Sequence, residues 1–182
     1  NGVISGATRT TAGRYGAALL FDGVNDWVTV ADANTLDLTT GMTLEAWVYP
    51  TVALSGWRTI LAKEQLGGVA YFLHASSLPN NQPATGVFIS GAERQLIGVS
   101  TLPVNVWTHL AMSYDNGMQR LYVNGIEIAS RVQTGAVTVS TGVLRIGGNA
   151  PFGEFFAGKI DSVKIHNRAL NQSEIQTDMN TP

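Results

Sequence analysis

Apolar side chains along this chain recur in short alternating runs that are separated by glycine, proline and asparagine. Runs of about four to eight residues with this alternation are typical of strands that bury one face. No helical pattern of the kind that βαβ units require lies between them, so the pattern indicates an antiparallel sandwich or barrel. The predicted strands are residues 18–22, 26–30, 43–49, 59–63, 69–74, 86–89, 95–99, 108–114, 119–124, 126–131, 143–147 and 158–166.

Two short sequences predict local structure more specifically. Asn124 and Gly125 lie between two alternating runs, and both tolerate the positive φ that a type I′ turn requires, so we expect a tight hairpin there. Asn171 precedes Glu174 by three residues, the spacing of a capping box in which each side chain bonds the other's backbone N–H. We therefore expect one short helix after Asn171 to close the chain.

Composition limits the class of protein. Apolar residues make up 45% of the 182 residues and charged residues 13%, enough to build a core and too little charge for a disordered chain. The length fits one domain, which we place at residues 1–182. Cysteine is absent, which excludes disulfides and thiolate-bound zinc.

Charge and hydropathy restrict the partners. The net charge is −2, and the basic residues form no run that could neutralise phosphates, so we expect no nucleic-acid partner. No apolar stretch approaches the roughly 20 residues that span a bilayer, so we expect no membrane span. The chain opens at Asn1 without methionine, and we expect it to be part of a longer protein.

No catalytic pattern is apparent in the sequence. A G-x-S-x-G turn is absent, and His74, His109 and His166 show no metal-binding spacing such as H-E-x-x-H. His109 lies within a predicted strand, and we interpret it as a packed structural residue. The acids are isolated, whereas retaining glycosidases need two carboxyl groups roughly 5–5.5 Å apart. We predict that the chain is not an enzyme, although acids distant in sequence could still converge.

Four oxygen-bearing side chains stand out. Asp161 is in phase with the β-branched residues two and four positions later, so we expect its carboxylate on the core face, where it needs a partner or a cation. Asp22, Asn25 and Asp26 bunch in one glycine-containing turn. Such a turn suits Ca²⁺, which takes about 6–8 oxygens, but Asp and Asn also commonly bond turn backbone. The residues alone leave both interpretations open.

Six segments, in their order and spacing, resemble laminin-G-like jelly rolls of the concanavalin A-like lectin/glucanase superfamily. They read ALLFDGVNDWV, MTLEAWV, WTHLAMSYD, RLYVNG, LRIGG and GKIDSVKIHNRAL, at residues 18–28, 42–48, 107–115, 120–125, 144–148 and 158–170. Together with the strand pattern, the resemblance predicts an all-β fold, a two-sheet antiparallel jelly-roll sandwich with one short C-terminal helix. It also implies that the chain lacks the first strand with which family members usually begin.

The resemblance carries expectations about ligands. Such modules usually belong to secreted or cell-surface proteins of many domains, bind glycans or protein partners, and often hold a structural calcium ion beside the terminal strands. Carried over residue by residue, Asp22, Asn25 and Asp161 fall at the positions that we assign to calcium, with Asp26 as a further ligand.

A sugar site needs aromatic faces and planar polar groups on a concave sheet or on rim loops. We expect stacking and hydrogen bonding from seven residues, namely Trp57, Tyr71 and Phe152, and Arg58, His74, Arg94 and Asn149. Trp57 and Tyr71 are alternatively ordinary packing residues. The leading hypothesis is a non-catalytic carbohydrate- or glycoconjugate-binding module of a larger secreted protein, with calcium as its cofactor. The alternatives are an adhesion module that docks a protein or a neighbouring domain and binds no sugar, and a polysaccharide-active hydrolase or lyase.

Overall fold

A computed structural model describes residues 2–181, and the two terminal residues of the predicted domain lie outside the described residues. The first seven strands are β1 (Val3–Ser5), β2 (Thr8–Thr10), β3 (Ala18–Asp22), β4 (Trp27–Val30), β5 (Met42–Pro50), β6 (Arg58–Gln65) and β7 (Gly68–Ser76). The next seven are β8 (Ala84–Ile89), β9 (Ala92–Ile97), β10 (Thr108–Tyr114), β11 (Met118–Val123), β12 (Ile126–Val132), β13 (Leu144–Ile146) and β14 (Ala157–His166). A 3₁₀ turn covers Asn34–Leu36, and helix α1 covers Gln172–Asp178.

The strands form two antiparallel sheets of seven strands each. Sheet A has the order β1-β4-β13-β6-β7-β8-β9, and sheet B has the order β12-β11-β10-β5-β14-β3-β2. Consecutive strands lie side by side in β6 to β9, whereas β5 and β14 pair although they are far apart in the chain. The predicted all-β jelly-roll sandwich is confirmed.

The core lies between the sheets and follows from strand alternation. On β5, Leu44 and Ala46 point inward and are fully buried in the main apolar cluster, whereas Glu45 and Trp47 point to the other face of sheet B. Sheet A contributes Leu61 to the same cluster. Deleting a core leucine of this kind costs about 2–5 kcal/mol, so the inward residues set the stability of the fold.

Both local predictions are confirmed. The β11–β12 hairpin turns at Asn124 and Gly125, which have φ values of 51° and 72°. Asn171 caps α1 by accepting from the Glu174 N–H, and the Glu174 side chain accepts from the Asn171 N–H. Ile175 of this helix is buried against the outward face of sheet B. Within residues 2–181, no helix has the length and apolar character needed to cross a membrane.

Strands β1 and β2 were not predicted. Each has three residues, too few for alternation to be recognised, and each lies at the edge of its sheet. β1 pairs with β4, so that Ile4 faces Val28, and β2 pairs with β3. The N-terminal segment therefore adds one short strand to each sheet.

A bulge in β14 overturns the predicted phase of Asp161. Asp161 lies opposite Trp47, and Lys164 lies opposite Glu45. Between these two pairs β14 therefore contains one more residue than β5. Ser162 has a φ of 49° at this point. Because a bulge shifts the alternation, Asp161 shares the outward face with Trp47 and is out of phase with the core residues that follow it.

Candidate functional site

A pocket of about 310 Å³ lies on the face of sheet A that is turned away from the core. We call it the aromatic pocket; its lining residues are Trp57, Val69, Phe72, His74, Glu93, Gln95, Phe152 and Glu154. They come from β7, β9, the residue before β6 and the loop between β13 and β14. The volume lies at the lower end of the roughly 300–1,000 Å³ that is usual for ligand pockets.

Packed rings form the floor of the aromatic pocket. Phe72 and His74, two residues apart on β7, stack with ring centroids 4.2 Å apart, and Trp57 meets the His74 ring edge-on at 5.5 Å. Gly86 on the neighbouring strand makes room for this arrangement, because a Cβ there would lie 2.3 Å from a Phe72 ring atom. Trp57 is half-buried and Phe152 is 54% exposed, so two rings remain accessible to a ligand.

A buried amide organises the rim. The Asn149 Nδ2 donates to Thr59 Oγ1 at 2.7 Å and to Glu154 Oε2 at 2.6 Å, and its Oδ1 accepts from the Phe152 N–H at 2.9 Å. One fully buried side chain thus holds both the carboxylate and the exposed ring of the loop. The loop is positioned by these bonds before any ligand arrives.

Burial controls the protonation of two titratable groups of the aromatic pocket, His74 at its floor and Glu154 at its rim. Burial lowers the pKa of His74 to about 3, so the imidazole is neutral at physiological pH. Burial raises the pKa of Glu154, and hydrogen bonds from Asn149 and Thr59 oppose that effect. Thr59 Oγ1 lies 3.1 Å from His74 Nε2, which links the two groups through one hydroxyl.

The charged residues that line the aromatic pocket are negative, and Arg58 lies close enough for its charge to act on Glu154. Glu93 and Glu154 contribute carboxylates, and Gln95 donates to Glu93. Of the lining residues that the structure describes, none is lysine or arginine. The site offers hydrogen-bond acceptors and one amide, and it opposes anionic groups.

Three predicted ligand-binding residues come together here: Trp57, His74 and Phe152 all line the aromatic pocket. Arg58 follows Trp57 and donates from Nη1 to the Trp57 carbonyl, so it lies beside the pocket. Asn149 is fully buried beneath the rim and positions the loop, which corrects its predicted role as a group that contacts sugar.

Two predicted residues lie elsewhere. Tyr71 is 1% exposed in the core between the sheets and donates to the Leu36 carbonyl, so it cannot stack on a ligand. Its separation of three residues from His74 places it on the opposite face of β7. Arg94 lies between Glu93 and Gln95 on β9. Because successive side chains of a strand point to opposite faces, Arg94 points away from the aromatic pocket that Glu93 and Gln95 line.

The sequence reasoning missed four lining residues with chemistry of their own, Phe72, Glu93, Gln95 and Glu154. The strand period predicts that Phe72 lines the pocket, because it is two residues from His74 on β7 and therefore shares its face. Glu93 and Gln95 likewise share a face, although β9 was predicted to begin only at Gln95.

The predicted calcium ligands do not form one site. Asp22 pairs with Ala157 of β14. Asp161 lies four residues further along β14, which places it about 13 Å along the strand from the position opposite Asp22. Asp22 Oδ1 accepts from the turn N–H groups of Val24 and Asn25, and Asp161 Oδ2 accepts from the Tyr15 N–H.

Asp26 Oδ2 in turn accepts from the Asp22 N–H, so the turn carboxylates satisfy backbone donors. These residues therefore do not fit a single calcium ion in this arrangement. Calcium as a cofactor of the domain stays a prediction.

Within residues 2–181, a group of side chains that was not predicted has metal-binding geometry. Glu45, His166 and Asp178 place one ligand atom each within 4.8 Å of one another. They lie on the outward face of sheet B, and no sequence pattern connects them.

Comparison with known proteins places this fold among relatives. A family model described as the Concanavalin A-like lectin/glucanases superfamily matches residues 22–176. Pappalysin-1 from Mus musculus is 38% identical over 80 residues, and pappalysin-1 from Homo sapiens is 36% identical over 80 residues. Each match covers 41% of this chain and 5% of the relative, so the chain spans about a twentieth of the curated relatives it matches.

Solved structures resemble the whole sandwich. Domain 4 of AbnA, a GH43 extracellular arabinanase from Geobacillus stearothermophilus in complex with arabinotriose, has a TM-score of 0.77 at 22% identity, covering 96% of this chain and 81% of that chain. The binding domain of Paraclostridial Mosquitocidal Protein 1 has a TM-score of 0.76 at 18% identity, covering 98% and 46%.

A botulinum neurotoxin type C chain, whose cell entry depends on interaction with two ganglioside molecules, has a TM-score of 0.73 at 12% identity, covering 100% and 46%. At these identities the likenesses show the fold alone.

Proposed function

Because this chain belongs to the Concanavalin A-like lectin/glucanases superfamily, we propose that it is a non-catalytic carbohydrate-binding module and that the aromatic pocket is its binding site. One observation carries the proposal: the accessible rings of Trp57 and Phe152 flank a pocket with an aromatic floor and hydrogen-bond acceptors at its rim. The C–H face of a sugar ring packs on aromatic surface while its hydroxyls bond to polar groups.

The ligand that fits this chemistry is a neutral sugar. Glu93 and Glu154 accept hydrogen bonds from hydroxyls, and the Gln95 amide adds both a donor and an acceptor. A carboxylated or sulfated sugar would bring a like charge toward two carboxylates with no compensating cation among the lining residues described. The pocket volume suits one sugar unit, or the end of a short chain, better than a long polymer.

The arrangement of Glu154 favours binding over catalysis. Its Oε2 accepts from Asn149 at 2.6 Å and lies 3.5 Å from Thr59 Oγ1, so this oxygen serves the loop scaffold. Glu93 accepts from its strand neighbour Gln95. These bonds support a role for both acids as fixed acceptors rather than as an acid and base that exchange protons with a substrate.

The wider context is also part of the proposal. We place the module in a larger secreted or cell-surface protein with a glycan or glycoconjugate as its partner. The arabinotriose complex of the AbnA domain and the ganglioside dependence of the neurotoxin support carbohydrate as the ligand class. The small share of pappalysin-1 that is matched supports a module within a longer chain.

Binding to an array of neutral and acidic glycans tests this function. We expect neutral glycans to be retained, and Phe152→Ala to weaken binding by about tenfold, the loss that one stacking contact of about 1.4 kcal/mol represents. Trp57→Ala should weaken binding similarly. The matched control is Ile126→Ala, which removes a side chain of similar exposure from β12 on the other sheet and should leave binding unchanged.

Three outcomes would contradict the proposal. An array without any bound neutral glycan would favour the docking alternative. Equal binding by wild type and both pocket variants would place the sugar elsewhere. Release of sugar from a polysaccharide by the purified chain would overturn the non-catalytic part.

A further inference from the structure

A second cluster of chemically active side chains lies on the outward face of sheet B, on the other side of the sandwich from the aromatic pocket. His166 Nε2 is 3.2 Å from Glu45 Oε1 and 2.8 Å from Asp178 Oδ2. The residues belong to β14, β5 and the last position of α1. β14 and α1 follow one another in the chain, and the distant strand β5 joins them because it pairs with β14.

Strand register and helix packing explain the convergence. Alternation on β5 turns Glu45 away from the core, and β14 sets Lys164 opposite Glu45 and His166 opposite Thr43. Ile175 anchors α1 to the same face and brings Asp178 over the strands. The cluster is thus a fixed product of the fold rather than a flexible surface patch.

The polar atoms at its centre are unsatisfied. Glu45 is fully buried, and neither of its carboxylate oxygens has a hydrogen-bond partner within residues 2–181; the same holds for His166 Nε2 and Asp178 Oδ2. The distances are short, but the angles do not make hydrogen bonds. Each Glu45 oxygen has a histidine nitrogen 3.2 or 3.3 Å away but accepts no hydrogen bond from it. Burial of a carboxylate that accepts no hydrogen bond costs several kcal/mol, so a cation bound at this point would stabilise Glu45.

We propose that Glu45, His166 and Asp178 bind a divalent transition-metal ion of the zinc class. Zn²⁺ binds histidine nitrogen at about 2.0–2.1 Å and carboxylate oxygen at about 2.0–2.2 Å, so tetrahedral ligand atoms lie about 3.3 Å apart. The separations of 3.2 and 2.8 Å are close to that spacing. Ca²⁺ fits less well because it requires about 6–8 oxygens at 2.3–2.6 Å.

The surroundings supply what such a site needs beyond its three ligands. His109 Nε2 lies 3.3 Å from Glu45 Oε2, and Lys164 Nζ donates to Asp178 Oδ1 at 2.9 Å, so the second oxygen of each carboxylate has its own neighbour. His166 is about one-third exposed and opens into a cleft of about 410 Å³ beside α1. The cleft provides a path for the ion and room for water at a fourth position.

The bound ion fastens the C-terminal helix to the sheet. It joins β5 and β14 to the end of α1, and it binds the folded state only, because the three ligands come together only there. Saturating metal therefore raises the unfolding temperature. This role is independent of the aromatic pocket and of the proposed sugar binding.

The test uses the whole chain, stripped with EDTA and then titrated with Zn²⁺, Co²⁺ or Ca²⁺. We expect one Zn²⁺ per chain by calorimetry, a visible Co²⁺ absorption band, and a higher unfolding temperature with Zn²⁺. His166→Gln should weaken Zn²⁺ binding at least about tenfold and abolish the thermal shift. The control Glu174→Gln removes an acid on the rim of the same cleft and should keep both the Zn²⁺ affinity and the thermal shift of the wild type.

X-ray absorption of the zinc-loaded wild type does not depend on any variant folding. It should show a single imidazole nitrogen together with oxygen ligands. Absence of stoichiometric Zn²⁺ binding by the wild type would overturn the site. Unchanged Zn²⁺ binding by a folded His166→Gln variant would also overturn it. The same holds if the ligands of the bound Zn²⁺ are oxygen alone or include two or more imidazoles.

Discussion

Burial of His74 makes the stability of the domain depend on pH. The groups that face its ring are Thr59 Oγ1 at 3.1 Å, Glu154 Oε2 at 3.7 Å and the rings of Phe72 and Trp57. Burial lowers the pKa of His74 from 6.5 to about 3. Because burial raises the pKa of Glu154, this carboxylate becomes neutral as acid is added and does little to stabilise a protonated His74.

The lowered pKa of His74 decreases the free energy of unfolding as the pH falls, because the unfolded chain binds a proton there more tightly than the folded chain. The unfolded chain takes up a proton at His74 near pH 6.5, and the folded chain does so only near pH 3, so acid favours unfolding between these values. The stabilisation is complete above pH 6.5 and is lost as the pH falls toward 3. Between pH 8 and pH 5 the loss from this one group is about 2 kcal/mol.

Urea denaturation of wild type and His74→Gln at pH 8 and pH 5 measures this contribution. The drop in unfolding free energy between the two pH values should be about 2 kcal/mol smaller in the variant, because glutamine does not titrate. Phe152→Ala, which alters the same pocket without changing a titratable group, should show the wild-type drop. An equal drop in wild type and His74→Gln would refute the reasoning.

Three further changes test the fold by urea denaturation. Asn149→Ala removes three hydrogen bonds of a buried amide and should cost about 3 kcal/mol; a cost below ~1 kcal/mol would contradict its organising role. Asp32→Ala removes the carboxylate partner of the buried Lys63 ammonium and leaves it only the Gly142 carbonyl, which should cost about 3 kcal/mol, clearly more than Lys63→Met; the reverse order would be evidence against this ion pair. Gly147→Ala should cost about 3 kcal/mol, because φ is 84° and the new Cβ would lie 2.2 Å from Phe21; a neutral effect would count against that contact.

The strands were predictable because most of them alternate over five or more residues. β3 and β10 were predicted with the bounds that the structure has, and β14 to within one residue. The short edge strands β1 and β2 carry too few residues for any period to register. Alternation also predicts which face of the strand a side chain takes, and Tyr71, three residues before His74 on β7, lies on the core face as that period requires.

Other features depend on information that no local pattern holds. The bulge at Ser162 follows from pairing with β5, and it separates Asp161 from the face that alternation alone assigns to it. Glu45 and His166 meet only because β5 and β14 are neighbours in sheet B. Convergence of this kind needs the sheet order, which a single sequence does not specify.

Nuclear magnetic resonance with a neutral oligosaccharide identified on the array locates the ligand on the molecule. The indole N–H of Trp57, assigned with Trp57→Phe, and the backbone amides of Phe152 and Gln95 should shift on titration, while those of β12 on the opposite sheet stay in place. Shifts confined to sheet B or to the chain termini, with Trp57 and Phe152 unmoved at saturation, would contradict the aromatic pocket as the binding site.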